Sequence, residues 1–178
     1  MDEFEIKIVK YFNQLGSKKL DVFFGFINSI RFLAFFWTML VILAVAKHPE
    51  ITKPFLEVVA VVAILHFGIT EGIIKHLLLN FIPKRKRPYI AFPETIKPIG
   101  KKFSDSSFPS SHMTTTVAMF FVITAFYPSI IILAVMAILF MAFSRLYNGM
   151  HYPSDILVGI LLGLFYGWTA LEILRVVF

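Results

Sequence analysis

The sequence predicts an all-α membrane protein: a bundle of about five transmembrane helices preceded by an amphipathic helix at the membrane interface. Hydrophobic residues make up 58% of the 178 residues, and 21 residues are Phe, whereas soluble proteins are typically ~45–50% apolar. The apolar residues form long runs and lack the alternation of a membrane β-barrel. We expect one domain over residues 1–178, with the interfacial helix at 1–19 and the bundle at 20–178.

Residues 2–15 have the pattern of an amphipathic helix. Large apolar side chains recur at helical spacing with charges between them; they are Phe4, Ile8, Tyr11, Phe12 and Leu15. This pattern favours a helix that lies on the membrane surface. The alternative is a soluble helix that packs against the rest of the protein.

Five apolar segments follow, at about 20–46, 54–80, 110–126, 129–147 and from 153 to near the C-terminus. A polar loop at 81–108 separates the second from the third, and a loop of this length in a compact protein is usually functional. Several apolar cores are shorter than the ~20 residues of a lone span, so we expect their polar ends to belong to the helices. Gly159, Gly163 and Gly167 predict close helix packing in the last segment.

Polar residues inside the second segment have two interpretations. Glu71 and Lys75 are four residues apart, which suits an ordinary ion pair on one helix face. The alternative is a polar stripe that faces a substrate.

Three polar groups stand at the ends of apolar segments, at 84–88, 108–112 and 144–155. Charge beside membrane-like sequence is costly and therefore often marks function. In an antiparallel bundle, the end of the second segment, the start of the third, the end of the fourth and the start of the fifth share one face. The three groups are therefore expected to meet. Taken singly, they could instead be a headgroup-binding run, a helix cap and part of an interfacial aromatic belt.

The residue types in these groups suit phosphate. Arginine guanidinium groups match phosphate oxygens, which suggests Arg87, Arg145 and Arg85 as ligands. The start of the third segment, at Ser110 and Ser111, adds free backbone N–H groups.

Two histidines supply the reactive groups. A carboxylate such as Asp155 on one nitrogen of His151 would leave the other nitrogen as a nucleophile or base, and His112 could protonate a leaving oxygen. This set favours phosphoryl transfer without a metal or another cofactor. A zinc site made by two His and one Asp is an alternative.

These residues resemble the motifs of the phosphatidic acid phosphatase type 2 superfamily. Its third motif (Ser-Arg, five residues, His, three residues, Asp) is matched in full by Ser144, Arg145, His151 and Asp155. Its second, Pro-Ser-Gly-His, appears at 109–112 with Ser111 in place of glycine. Its first motif is matched at Arg87-Pro88, and Arg85 matches a basic residue often found just before that pair. The lysine position of this motif holds Asn80, and Lys84 or Lys86 is a candidate substitute.

The resemblance implies a reaction mechanism and a location in the cell membrane. His151 would attack phosphorus to form a phosphohistidine, with Asp155 orienting it and His112 protonating the leaving group. Arg87, Arg145, Ser110 and the backbone at Ser111 would hold the phosphoryl oxygens. The protein would lie in the inner (plasma) membrane as a multi-pass protein, with its active site on the periplasmic or exterior side, although the distribution of Lys and Arg by itself favours the cytoplasm.

The expected substrate is the terminal phosphate of a membrane lipid. The candidates are lipid A 1-phosphate, phosphatidylglycerophosphate, undecaprenyl diphosphate and phosphatidic acid. The formal net charge of +6 fits the lipid bilayer better than nucleic acid in such a chain. A non-catalytic anionic-lipid binding or scramblase-like protein is the alternative function, and haloperoxidase chemistry is disfavoured. The sequence gives no indication of an oligomeric state.

Overall fold

The computed structural model describes residues 3–77, 81 and 83–177, and every regular element within those ranges is helical. The helices are α1 (Glu3–Gln14), α2 (Lys18–Ile27), α3 (Ile30–Lys47), α4 (Thr52–Leu65), α5 (Pro88–Ala91), α6 (Ser111–Phe126), α7 (Ile131–Tyr147) and α8 (Pro153–Val177). Beyond α4 the chain continues as a π-helix over His66–Leu77. The predicted all-α class is confirmed.

Three helical stretches in the described part of the chain are long and apolar enough to span a membrane: Pro49–Leu77, Pro128–Tyr147 and Pro153–Val176. Together α2 and α3 make a fourth, and α6 is apolar but has 16 residues, fewer than the ~20 of a full span. The predicted segments are therefore present, but the count of five is reached only if α6 and the α2–α3 pair are included. Residues 78–80, where the second segment was predicted to end, lie outside the described ranges.

The apolar segment predicted at 20–46 is divided into two helices. The chain bends by 57° between α2 and α3. The Ser29 hydroxyl accepts a hydrogen bond from the backbone N–H of Phe32 at 3.2 Å, which caps the start of α3. The Asn28 side chain donates to the carbonyl of Phe24 at 2.7 Å and ends α2. Two adjacent capping residues thus favour a break that the hydrophobic pattern does not reveal.

The closest helix packing is between α6 and α8. A Cβ atom added to Gly163 would lie 2.6 Å from the Cβ of Val117, and one added to Gly159 would lie 2.8 Å from the carbonyl oxygen of Ser110. The predicted small-residue face is confirmed. This contact brings the starts of both helices together, and the N–H of Ser110 donates to the carbonyl of Asp155 at 3.2 Å.

An apolar core fills the opposite end of the bundle. It is formed by buried side chains of α4, α6 and α8, which include Phe55, Val58, Val62, Val122 and Tyr166. Burial of such side chains stabilises the bundle by roughly 1.5–3 kcal/mol each when water is the alternative environment. The polar residues are thereby left at one end.

Helix α1 packs across that polar end. The Asn13 amide donates to the carbonyls of Lys97 and Tyr147 at 2.9 and 2.7 Å, and its oxygen accepts from the N–H of Lys97. Phe4 and Tyr11 are 66% and 63% exposed on its other side. The amphipathic character of α1 is confirmed, and its location at the membrane surface stays a prediction.

Candidate active site

The three polar groups meet at one end of the bundle. Nδ1 of His151 lies 2.7 Å from the carbonyl oxygen of Ser107, and Nε2 lies 3.4 Å from Nη1 of Arg87. Nη1 of Arg85 lies 2.6 Å from Oδ1 of Asp155. The prediction that they share one face is confirmed.

A tight turn between α7 and α8 places His151. Gly149 has a φ of +65°, in the left-handed region that glycine adopts without strain. A Cβ there would lie 2.7 Å from the side chain of Ile96. The N–H of Met150 then donates to the carbonyl of Arg145 at 3.2 Å. The turn therefore holds His151 beside the arginine at the end of α7.

His151 is 2% exposed and neutral near pH 7. Burial lowers its pKa to about 4, and the charges of Arg87 and Arg145 act in the same direction against the opposing effect of Asp155. Its Nδ1–H donates to the Ser107 carbonyl, so the lone pair is on Nε2. Nε2 lies 3.4 Å from the donor Nη1 of Arg87, and its lone pair can act as a nucleophile when Arg87 binds another acceptor.

Asp155 lies beside Nδ1 of His151 but beyond hydrogen-bond distance, and its orienting role stays a prediction. Its Oδ2 lies 3.8 Å from Nδ1 and accepts instead from the N–H of Tyr152 at 2.9 Å. The orienting acceptor is the backbone of Ser107, which the sequence analysis missed because a carbonyl oxygen has no residue-type signature. Asp155 stabilises the turn that carries His151.

Arg85 also differs from its predicted phosphate-binding role. Its guanidinium donates to Glu5, Ser154 and Asp155 at 2.6, 2.7 and 2.6 Å. It lies over the ring of Tyr152, 4.2 Å from the centroid. These partners link α1 to the start of α8, and Arg85 does not line the cavity in front of His151.

A cavity of about 370 Å³ lies in front of His151. Its polar end is lined by Lys75, Arg87, Ser111, His112 and Arg145. Arg145 is 2% exposed, and its Nε and Nη2 have no hydrogen-bond partner among the described residues. The same holds for Nε2 of His112. A buried guanidinium without a partner is costly, and its free donors match phosphate oxygens.

The two serines at the start of α6 differ in whether they line the cavity. Ser111 lines the cavity, and its hydroxyl accepts from the ammonium of Lys75 and donates to the carboxylate of Glu71. The Ser110 hydroxyl is buried without a partner among the described residues, but it does not line the cavity. Backbone N–H groups at a helix start have no intrahelical acceptors and suit an anion, which fits the predicted role of Ser111.

The lysine position of the first motif, Asn80, lies outside the described residues. Lys84 and Lys86, the expected substitutes, are exposed and do not line the cavity. Lys75 does line it, and its side chain is 8% exposed. The predicted ion pair between Glu71 and Lys75 is confirmed at 3.2 Å. Both residues also line the cavity, and that this polar stripe faces a substrate stays a prediction.

Asp105 is a site residue that the sequence analysis missed. Its Oδ1 accepts from Nη2 of Arg87 at 2.8 Å, and its Oδ2 lies 3.6 Å from Nζ of Lys75. Burial would raise the pKa of this carboxyl, but the charge and hydrogen bond of Arg87, together with Lys75, lower it below the ordinary value. Asp105 is therefore an anion held between two cations.

An apolar groove continues from the polar cavity. A second cavity of about 220 Å³ is lined mainly by aromatic and aliphatic side chains, including Phe32, Phe36, Phe120 and Phe140. Trp37 lines both cavities, as do Asn28, Leu33 and Thr116. An anion site thus lies next to a space that suits a hydrocarbon chain.

The side chains of this site are not arranged as the zinc alternative requires. Within the part of the chain that the structure describes, no group of three or more His, Cys, Asp or Glu side chains is arranged to hold a metal ion. The Nδ1 of His151 is already engaged by Ser107.

Comparisons with known proteins agree with this geometry. The chain is 25% identical to the bacitracin transport permease protein BcrC of Bacillus licheniformis over 173 residues. This aligned region covers 94% of this chain and 81% of that protein. It is 28% identical over 104 residues to the lipid A 1-phosphatase of Rhizobium etli, covering 58% of this chain and 43% of that one.

A solved structure shares the fold. The crystal structure of Aquifex aeolicus LpxE superposes with a TM-score of 0.64 and 22% identity over 93% of both chains. The family model of the PAP2 superfamily matches residues 56–177, a stretch that contains His112, Arg145, His151 and the other cavity residues from α6 onward. The chain therefore belongs to the PAP2 superfamily.

Proposed function

We propose that the protein hydrolyses the terminal phosphate of a membrane lipid through a phosphohistidine formed on Nε2 of His151. The observation that carries this proposal is the buried Arg145 guanidinium, which lines the same cavity as His151 and His112 and has two nitrogens without a partner among the described residues. An anion bound by Arg145 and Arg87 would bring phosphorus to the neutral imidazole.

The chemistry divides into two steps. Nε2 of His151 attacks phosphorus, the bond to the lipid oxygen breaks, and His112 gives that oxygen its proton. Water then attacks the phosphohistidine, the N–P bond breaks, and His112 takes a proton from the water. Inorganic phosphate leaves, and both histidines return to their starting states. Arg87 and Arg145 stabilise the charge on the equatorial oxygens.

The apolar groove supports a lipid as the substrate. A chain attached to the phosphate can lie beside Phe120 and Trp37, where the lining is mostly apolar. One relative is named a lipid A 1-phosphatase and another is named for bacitracin transport. The candidates are lipid A 1-phosphate, phosphatidylglycerophosphate, undecaprenyl diphosphate and phosphatidic acid.

A panel of these four lipids, scored for released phosphate in detergent, tests the proposal. We expect release from at least one lipid by the wild type and no measurable release by His151→Ala. His48→Ala is the matched control, because His48 lies in an exposed turn at the C-terminal end of α3, away from the cavity. Binding of a lipid phosphate without release would favour the non-catalytic alternative, and normal activity of His151→Ala would refute the mechanism.

We also propose that this end of the bundle faces the exterior of the inner (plasma) membrane. Several of its cations are engaged by site residues or line the anion cavity, so their number does not indicate a cytoplasmic face. Lys101 is exposed at the cavity. The chain has no Cys, so Lys101→Cys provides a single label site. Labelling of intact cells by an impermeant maleimide supports the proposal, and labelling only after lysis contradicts it.

A further inference from the structure

Lys75 is placed inside the anion cavity by an unusual backbone. It belongs to the π-helical segment His66–Leu77, and π-helical winding is rare and often accompanies functional sites. Its side chain is 8% exposed and lines the same cavity as Arg87, Arg145 and the two histidines. A buried ammonium in an apolar segment is costly and calls for a functional reason.

Two neighbours fix the direction of this ammonium. Ser111 accepts a hydrogen bond from Nζ of Lys75 and donates one to Oε1 of Glu71, which itself lies 3.2 Å from Nζ. A glycine at position 111 would provide neither contact. The serine at this position and the lysine at position 75 thus act together.

Asp105 marks the position of an anion between the two cations. One of its oxygens binds Nη2 of Arg87 and the other faces Nζ of Lys75. Two oxygens of a phosphoryl group can bridge the same pair of donors. The Asp105 side chain is 46% exposed, so it can turn into solvent without burying a charge elsewhere.

The charges that line the cavity favour such an exchange. The cations are Lys75, Arg87, Lys101 and Arg145, and the anions are Glu71 and Asp105. Departure of Asp105 raises the excess of positive over negative charge from two to three. A phosphate dianion compensates this charge better than a single carboxylate does.

We propose that Lys75 is a phosphate-binding residue of this site, held by Ser111 and Glu71, and that the substrate phosphate replaces the Asp105 carboxylate between Lys75 and Arg87. This inference deepens the proposed function and rests on it for the identity of the ligand as a lipid phosphate. Ser111 and Glu71 are positioning residues, and Asp105 competes with the substrate.

Binding of inorganic phosphate to the full-length protein in detergent tests this directly, by calorimetry and by the phosphate dependence of the unfolding temperature. We expect Lys75→Met to weaken the Kd by about ten- to a hundredfold, because a charge-assisted contact is lost. Asp105→Asn should change the Kd in the opposite direction, to tighter binding. Lys84→Met is the matched control and should bind as the wild type does, because Lys84 is exposed and lies outside the cavity.

Further variants separate a local effect from a folding defect. Lys75→Arg keeps the cation and should keep most of the phosphate affinity if it folds. Ser111→Gly should weaken phosphate binding by a smaller factor than Lys75→Met. If Asp105→Asn, at a partly exposed site, binds phosphate no more tightly than the wild type, the exchange with Asp105 is wrong even where Lys75→Met fails to fold.

The outcomes distinguish this inference from the proposed function. Release of lipid phosphate by the wild type, with unchanged phosphate affinity in Lys75→Met, overturns the role of Lys75 and leaves the phosphatase intact. Phosphate binding that depends on Lys75, in a protein that releases no lipid phosphate, supports the site and refutes the proposed function. A wild type that binds no phosphate overturns the inference.

Discussion

Nδ1 of His151 donates a hydrogen bond to the carbonyl oxygen of Ser107 at 2.7 Å. A backbone carbonyl only accepts, so this bond requires the proton on Nδ1 and leaves the lone pair on Nε2. Ser107 belongs to the polar loop, and its N–H donates to the carbonyl of Arg85 at 2.9 Å. The loop therefore determines the tautomer of His151.

The buried, neutral state of His151 predicts a pH dependence of stability. Its pKa is about 4 in the folded protein and near 6.5 in the unfolded chain, so between these pH values the unfolded chain binds a proton that the folded one does not. Stability therefore falls as the pH decreases through this window. We expect the unfolding temperature to drop less between about pH 7 and pH 5 in His151→Asn than in the wild type. Equal drops would show that His151 is not held neutral.

The role of His112 as an acid predicts a dependence on the leaving group. His112→Asn should lower hydrolysis of a lipid phosphate by roughly a hundredfold or more, because the alkoxide must then leave without a proton. With p-nitrophenyl phosphate, whose leaving group needs no proton, formation of the phosphohistidine should be nearly normal. We expect a burst of p-nitrophenolate followed by slow turnover. A p-nitrophenolate burst slowed as strongly as hydrolysis of the lipid phosphate would remove the acid role.

Arg85 and Arg145 should behave differently when truncated. Arg145→Met should weaken binding of inorganic phosphate about tenfold or more, because Arg145 lines the cavity and has unpartnered donors among the described residues. Arg85→Met should instead lower kcat and the unfolding temperature while the Kd for phosphate stays close to that of the wild type, since Arg85 holds Asp155 and Glu5. If Arg85→Met lost phosphate affinity to the same extent as Arg145→Met, Arg85 would be a phosphate ligand after all.

The contact between α6 and α8 predicts a strict requirement at Gly163. A methyl group there would lie 2.6 Å from Val117 and 2.7 Å from the carbonyl of Thr114, so Gly163→Ala should destabilise by about 1–3 kcal/mol. Gly68→Ala is the control, because nothing lies within 4 Å of its added Cβ. Unfolding temperatures in detergent measure both. A Gly163→Ala protein as stable as Gly68→Ala would contradict the observed packing.

Much of this architecture was predictable because its causes are local in the sequence. Apolar runs fix the helices, and the glycines at 159, 163 and 167 reveal the packing of α8. The alternation of antiparallel segments is sufficient to bring Arg87, His112 and Arg145 to one end. The matches to the motifs indicate which of the polar residues there are reactive.

The remaining features depend on long-range contacts that residue type does not encode. The Ser107 carbonyl carries no side-chain signal, and Asp105 lies in a loop rich in other polar residues. Arg85 was assigned to phosphate because an exposed basic run and a buried ion pair look alike in sequence. Lys75 could have been found from the cost of a lysine inside an apolar segment, but its direction depends on Ser111.

The most direct test of the mechanism is chemical trapping of the intermediate. Wild-type and His112→Asn proteins are mixed with radiolabelled p-nitrophenyl phosphate, quenched in alkali early in turnover and mapped by mass spectrometry. The predicted result is a base-stable, acid-labile phosphoryl group on His151, more abundant in His112→Asn and absent from His151→Asn. Turnover by His151→Asn, or a phosphoryl group on another residue, would contradict it.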